Sequence, residues 1–407
     1  MAPKTLLVVS GGIEAVPGIR RARELGLFVV VSDKDPEAPG FALADDCLLA
    51  STYDAEATTA VALRYHREVR PLDGVICVAA DVPLTVASVA AALGLPGIAP
   101  DAARLATDKV AMKQALARHG VPIPWFAEVD SPAHLQALVA EQGLPLVIKP
   151  VDSRGARGVQ MLAAGMDLAL AYEQARVHSA TGRVVLERYL DGPQVSTESL
   201  MIDGVAYTPG FSDRNYEYLQ RFAPHIIENG GDLPSHLTDA QQDAIKAAVA
   251  HGALAMGIRN GVIKGDMVMH QGRPHIIELA ARLSGGYFCT HEIPLNTGVD
   301  LVGAAIRQCL GEPVNGAELQ PRYQRGVAQR YIFPQPGVVR AVQVPDWITT
   351  DPDIALCEIR TQVGALVGPI EHHPARAGVV IATGVDRQAA IRKAEAAVAA
   401  IRIETTS

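Results

Sequence analysis

The first hundred residues alternate short, unbroken apolar runs with helical stretches. That alternation restricts this part of the chain to a parallel sheet with helices on its faces. TLLVVS (Thr5 to Ser10), LFVVVSD (Leu27 to Asp33) and DGVICVA (Asp73 to Ala79) read as buried strands, and Ile13 to Leu25 as a helix beginning near Pro17. Gly11-Gly12 follows the first strand, where backbone N–H groups at a helix N-terminus can face an anion. The full G-x-G-x-x-G is absent, so a tight turn is the simpler reading.

Further along, Thr107 to His119 reads as a helix capped at Thr107 and stopped by Gly120, and VPIPW after it marks a boundary. Strands are expected at Leu146 to Ile148 and Val184 to Glu187. Val262 to Met269 and His275 to Leu279 flank Gln271-Gly272-Arg273 as a hairpin. From about Arg325 short strands return, followed by an Ala-rich helix from Arg387 to Ile401. There is no repeat and no low-complexity segment. At 407 residues the chain exceeds one ordinary core and is expected to form two to four packed lobes.

Composition removes several function classes. Apolar residues make up 49% and charged residues 20%, which excludes wholesale disorder. A net charge of -8 argues against a chain-wide nucleic-acid surface while leaving room for a local basic pocket. Cys47, Cys77, Cys289, Cys309 and Cys357 are scattered and odd in number, as expected for reduced thiols in a cytoplasm. The N-terminus runs directly into a strand without a signal-peptide pattern. Val82 to Pro100 carries no charge, but Pro83, Gly94, Pro96 and Gly97 break it into a buried helix and a turn. A soluble protein without a membrane partner is therefore expected.

Two segments carry chemistry. IKPVDSRGARGV joins a strand-terminal lysine to a basic, glycine-containing loop, which suits neutralising and gripping a polyphosphate. Alone it also reads as a surface turn, and it is not a Walker A loop. In GDMVMHQGRPHIIELAARLSGG, Asp266 and Glu278 lie on consecutive strands of one hairpin, so both carboxylates reach one end of a sheet. Two hard oxygen donors completed by water and phosphate suit magnesium; without a phosphate grip elsewhere they would be a solvated face. Arg282 follows four residues after Glu278, placed to stabilise charge on a phosphoryl group or carboxylate.

Taken in order, TDKVAMKQALARHGVPIP, LVIKPVDSRGARGV, VVLERYLDG and IIELAARLSGGY resemble the motifs of the ATP-grasp superfamily, over about residues 4 to 400. The far C-terminal ARAGVVIATGVDRQAAIRKAEAAVAAI resembles the small closing domain of amino-acid ligases and biotin-carboxylase-like members. The resemblance implies an α/β ATP-grasp fold with a Rossmann-like pre-ATP-grasp domain at residues 1–103 and a small lobe with the phosphate loop at 104–190. A large lobe with the metal site would span 191–320 and a small closing domain 321–407.

The same resemblance implies roles position by position. Lys109 and Lys149 would hold ATP phosphates, and Ser153, Arg154, Gly155, Arg157, Gly158 and Val159 would belong to the mobile phosphate-covering loop. Glu187, Arg188, Tyr189 and Leu190 would form the adenine-binding hinge, and Glu198 would bind ribose. Asp266 and Glu278 would hold magnesium, with manganese a substitute, and Arg282 would stand by an acyl phosphate together with Lys149. Ser284, Gly285, Gly286 and His225 would border the substrates, and Glu228 would receive a substrate ammonium.

Two departures from the family pattern stand out. Ala280 replaces an asparagine that supplies a metal oxygen, so one or two ions are expected. Glu228-Asn229-Gly230-Gly231 replaces E-x-G-H, which argues against the usual dipeptide substrates. The implied activity is an ADP-forming carboxylate–amine ligase working through an acyl phosphate on small-molecule substrates, with a homodimer as a family expectation. The alternatives are a purine-pathway enzyme activating formate or bicarbonate on a ribosyl phosphate, and a catalytically silent nucleotide binder. A biotin carboxylase fits less well because Ala280 interrupts E-x-N-x-R.

Overall fold

The computed structural model describes residues 2–406 and is an α/β structure built on four sheets. The first sheet has the order Asp46–Leu49, Phe28–Asp33, Thr5–Val9, Gly74–Ile76, all parallel. Thr5–Val9 is buried at every position, as its unbroken apolar run requires. The helix expected from Ile13 starts as a 3-10 turn at Ile13–Ala15 and is α-helical over Val16–Glu24, with Pro17 in its first turn. The Gly11 N–H donates to Asp33 Oδ2 at 2.9 Å, so a carboxylate of the neighbouring strand takes the place an anion would need. The uncharged stretch forms the helix Pro83–Leu93, closed by left-handed Gly94, and no helix among the described residues is long and apolar enough to cross a membrane.

The helix expected from Thr107 begins at Lys109 with Asp108 as its cap. Asp108 accepts from the Ala111 N–H at 2.9 Å, whereas the Thr107 hydroxyl is turned back to the Arg104 carbonyl at 3.0 Å. An antiparallel sheet follows, in the order Phe126–Val129, Val184–Arg188, Leu146–Pro150, Gln160–Leu162. Residues 151–159 cross between its last two strands as the glycine-containing loop.

The largest sheet is antiparallel, with Arg273–Ala280, Gly261–His270, Gln194–Ile202 and Val205–Arg214 on one side. It continues through Gly231–Leu233 into Gly326–Ile332, Gly378–Gly384 and Ile354–Ile359. Hydrogen bonding therefore runs unbroken past residue 320. The last strand, Arg402–Thr405, lies beyond the helix Arg387–Ala400 and pairs with Gly337–Gln343. One apolar core joins Leu6 and Val8 of the first sheet and Ile19 of the helix Val16–Glu24 to Leu283, Ile293 and Leu301 and to Val327 and Ile381. That shared core fixes the first sheet against the segment that follows Arg282.

Candidate active site

The three larger sheets meet around a cavity of about 590 Å³. Its lining includes ten Lys or Arg and seven Asp or Glu residues, in a chain whose net charge is -8. The cavity is therefore the place where this acidic protein concentrates positive charge, as an anionic ligand requires.

At one end, Arg188 N–H donates to the Trp125 carbonyl and Tyr189 N–H to the Pro145 carbonyl, ending the sheet. The Leu190 N–H that follows has no partner among the described residues, and Leu190 lines the cavity. An open backbone donor beside an apolar wall matches the edge of a heterocyclic base. Behind it, Lys149 Nζ donates to Glu187 Oε2 at 2.8 Å, and Lys113 Nζ lies 3.3 Å from the same oxygen. Burial alone would push the Glu187 carboxyl up, yet the two ammonium groups outweigh it and hold it below the ordinary range.

The glycine loop is held down on three sides. Lys109 Nζ donates to the Ser153 carbonyl at 2.9 Å. Arg154 lies over the Tyr53 ring at 4.3 Å, with Nε 3.6 Å from Asp81 Oδ2. The His373 N–H donates to the Gly155 carbonyl at 3.0 Å. Gly155, Ala156 and Gly158 all have positive φ, and at Gly158 a Cβ would meet Pro150 at 2.9 Å and His178 at 3.0 Å. Gly158 is thus a packing position outside the cavity lining.

Asp266 and Glu278 face one another in register across the hairpin, immediately beside a bulge. Gln271 and Gly272 close that hairpin with positive φ at both positions, the geometry of a tight two-residue turn. Asp266 Oδ1 receives Ser196 Oγ at 3.3 Å, Arg214 Nη1 at 2.9 Å and the Lys264 ammonium. Burial opposes the charge, but Arg214 and Lys264 hold the carboxyl well below the usual carboxylate range. Glu278 Oε1 lies 3.3 Å from Lys109 Nζ. Each carboxylate keeps its second oxygen without a partner among the described residues, and both residues line the cavity. No group of three or more His, Cys, Asp or Glu assembles among the described residues, so the donor set fits an ion completed by phosphate and water. Ala280 at the end of the same strand offers no oxygen.

Arg282 carries the most telling electrostatic feature. Its Nε and Nη1 are buried without hydrogen-bond partners, and Nε sits 3.6 Å from Asp81 Oδ1, itself without one. Burial works against the guanidinium, and Asp81 and Glu198 keep it charged. A buried guanidinium on a cavity wall, with two of its donors lacking hydrogen-bond partners, suits an anion.

Sequence profiles match in the same chain order as these features. The ATP-grasp N-terminal domain matches residues 19–97, the ATP-binding domain of the carbamoyl-phosphate synthase L chain residues 108–317, and L-amino acid ligase C-terminal domain 2 residues 330–406. The chain belongs to the ATP-grasp family. An uncharacterized protein of Sinorhizobium fredii, y4rH, is 26% identical over 380 residues, covering 91% of this chain and 77% of that one. A D-alanine–D-alanine ligase of Azoarcus is 26% identical over 191 residues, 46% of this chain and 61% of the ligase. The crystal structure of an L-amino acid ligase from Bacillus licheniformis superposes with a TM-score of 0.83 at 22% identity over all of both chains.

Against the ATP-grasp pattern, the cavity brings together Lys109, Lys149, the loop from Ser153 to Arg157, Val159, Glu187 to Leu190, Asp266, Glu278, Arg282 and Ser284 to Gly286. Besides Gly158, three expected positions differ. Glu198 is 0% exposed and turned to Ser284, taking its N–H at 2.8 Å and its hydroxyl, so it does not face the cavity. Gln194, four residues earlier on the same strand, does. His225 bridges to Gln160 behind the loop and lies outside the lining. Glu228 lines the cavity, but Arg214 Nε and Nη2 grip its Oε2 at 2.9 and 2.5 Å, so it is not the free anion an ammonium needs.

Sequence reasoning missed Asp81 and Lys264, and also Arg360 and Arg376 from the C-terminal segment. Asp81 was visible only as a charge bracketing an apolar run, whereas Lys264 stands two residues before Asp266 on the same face of its strand. That spacing was a readable signal.

Proposed function

We propose that this ATP-grasp protein is an ATP- and magnesium-dependent carboxylate–amine ligase that activates a small carboxylate, an amino acid or a close analogue, as an acyl phosphate. The observation that carries the reading is the buried guanidinium of Arg282, two of whose donors lack hydrogen-bond partners, on the wall of the cavity that Asp266 and Glu278 also line. The expected division at 103, 190 and 320 serves as the anatomy of this enzyme.

The Leu190 N–H and the hinge would take the adenine edge, and Gln194 is the cavity residue nearest in sequence for the ribose. Lys149 and Lys109 would neutralise the triphosphate, and the loop closed by Arg154 and His373 would keep water from it. Magnesium, held by Asp266 and Glu278, would supply charge neutralisation on the phosphates. Arg282 would orient the substrate carboxylate and then stabilise the transferred phosphoryl group. In the first step a carboxylate oxygen bonds to the γ-phosphorus and ADP leaves. In the second the amine nitrogen bonds to the acyl carbon, inorganic phosphate leaves, and the nitrogen gives up a proton.

Hydroxylamine intercepts acyl phosphates as hydroxamates, so the test is ADP and hydroxamate formation with ATP, magnesium and pools of carboxylates. ADP and hydroxamate appearing together with one pool, and both falling about 100-fold in Arg282→Gln, is the expected result. ATP binding with no ADP formed from any pool would overturn the reading in favour of a silent nucleotide binder.

A further inference from the structure

Beyond Arg282 the wall of the cavity carries a group of carboxylates, and all but one have a cation. Glu228 and Asp266 share Arg214. Asp232, just behind them, takes Arg330 Nη1 at 2.7 Å and Arg387 Nη2 at 3.5 Å. Glu292 is 3% exposed and lines the cavity, yet its carboxylate has no cation paired with it among the described residues and only the Ser212 hydroxyl to lean on. Its position follows from the sequence: Gly286 and left-handed Tyr287 turn the chain into a π-helical turn, Phe288–Glu292, whose last residue faces back into the cavity. The buried Ser212 hydroxyl beside it has no other partner and favours the charged carboxylate only weakly against burial. The groups acting on Glu292 are Glu228, Asp232, Ser212 and Arg330; burial first, then the two carboxylates, push its acidity well down.

A buried carboxyl with no paired cation is costly when charged, and a cavity is where a ligand can supply the missing charge. We infer that Glu292 anchors a positively charged nitrogen of the substrate, one that stays protonated while the reaction proceeds. Two groups carry that chemistry, the α-ammonium of the activated amino acid and a basic side chain. The inference rests on the ligase reading only for the ligand being an amino compound. Glu228, paired with Arg214, is thereby relieved of the ammonium role. Because the empty site favours the neutral acid, docking of the cation drives the Glu292 proton to the buffer.

The test is calorimetry on the full chain with magnesium and a non-hydrolysable ATP analogue, titrating lysine, norleucine and hexanoate. These three probes lose first the side-chain ammonium and then the α-ammonium. Wild type is expected to discriminate at one step by about 30-fold or more. Lysine over norleucine assigns the side chain, and norleucine over hexanoate the α-ammonium. Glu292→Gln should erase that step, keep the affinity for the member of the pair that lacks the ammonium within about twofold, and abolish proton release measured in buffers of different ionisation enthalpy. Glu292→Asp, which keeps the charge, should retain part of the discrimination. Unchanged ratios in Glu292→Gln, or no binding of any probe by wild type, overturns the inference. Glu292-dependent charge selectivity without ADP formation would keep it while removing the ligase; turnover with charge-blind binding would do the reverse.

Discussion

Lys149 and Lys113 converge on a single oxygen, Glu187 Oε2, at 2.8 and 3.3 Å, in a place where Lys113 and Glu187 are 1% and 2% exposed in their side chains. Only Lys149 of the two cations lines the cavity. The shared carboxylate is therefore a structural counter-ion that lets one lysine face the cavity while the other, donating to the Ile277 carbonyl at 3.1 Å, ties the helix to the strand that carries Glu278.

Removing the carboxylate should be far worse for folding than removing the outer lysine. Glu187→Ala leaves two buried cations unpaired and is expected to cost about 3–5 kcal/mol in denaturant unfolding. Lys149→Met should lower ADP release about 100-fold while Glu187 keeps Lys113. The folded Glu187 carboxyl lies below its ordinary value, so its stabilisation is present above about pH 4.3 and is lost as pH falls through the folded value. Unfolding curves at acid pH should accordingly be shallower in Glu187→Gln, and identical acid sensitivity would contradict the pairing.

Asp266 and Glu278 differ in how much neighbouring charge they carry, and their variants should differ accordingly. Glu278→Gln removes an open oxygen beside Lys109 with little else changed, and the magnesium needed for half-maximal ADP release should rise about tenfold or more. Asp266→Asn does the same and also loosens Lys264 and Arg214, so it should lose stability as well as metal affinity. A magnesium titration that superimposes on wild type for either variant would remove that residue from the metal site.

Arg154 links the phosphate loop to the first sheet through the Tyr53 ring and Asp81, contacts that together are worth about 1–2 kcal/mol. Arg154→Ala should raise the KM for ATP about tenfold. It should also let water reach the activated acid, so that ADP formed exceeds hydroxamate or product trapped. A ratio that stays at one with an unchanged KM would show that the loop closes without this contact.

How much of this was legible beforehand differs by residue. The hairpin was readable because Gln271-Gly272 and period-two alternation fix register, and register places Asp266 opposite Glu278. Lys149 was readable from its place at the end of a strand, and Lys109 only through the resemblance carried by TDK. Asp81, Arg360 and Arg376 were not, because each reaches the cavity through contacts between segments more than a hundred residues apart: Asp81 meets Arg282, and Arg360 meets Glu14. Glu198 misled for a local reason. Gln194 and Glu198 share one face of the strand Gln194–Ile202, and strand periodicity cannot show that the Ser284 turn caps this face at Glu198 and leaves it open at Gln194. Nor can a sequence show the partner state of Glu228 and Glu292, which depends on where Arg214 points.

The covered position of Glu198 has a measurable consequence. Burial raises its carboxyl to about 7, with the Ser284 hydroxyl and N–H pulling the other way. An acid whose folded value is raised binds more protons in the native state than in the unfolded chain. Its contribution is therefore complete below about pH 4.3 and declines as pH rises through 7. The span corresponds to a loss of about 3 kcal/mol by pH 8. Glu198→Gln keeps an acceptor for the Ser284 N–H and removes the charge, so its urea unfolding free energy should stay flatter from pH 5 to 8.5 and exceed that of wild type at the alkaline end. Parallel pH profiles for the two proteins would mean that Glu198 stays ionised in the folded protein, and that Arg282 neutralises it more fully than their separation by Ser284 suggests.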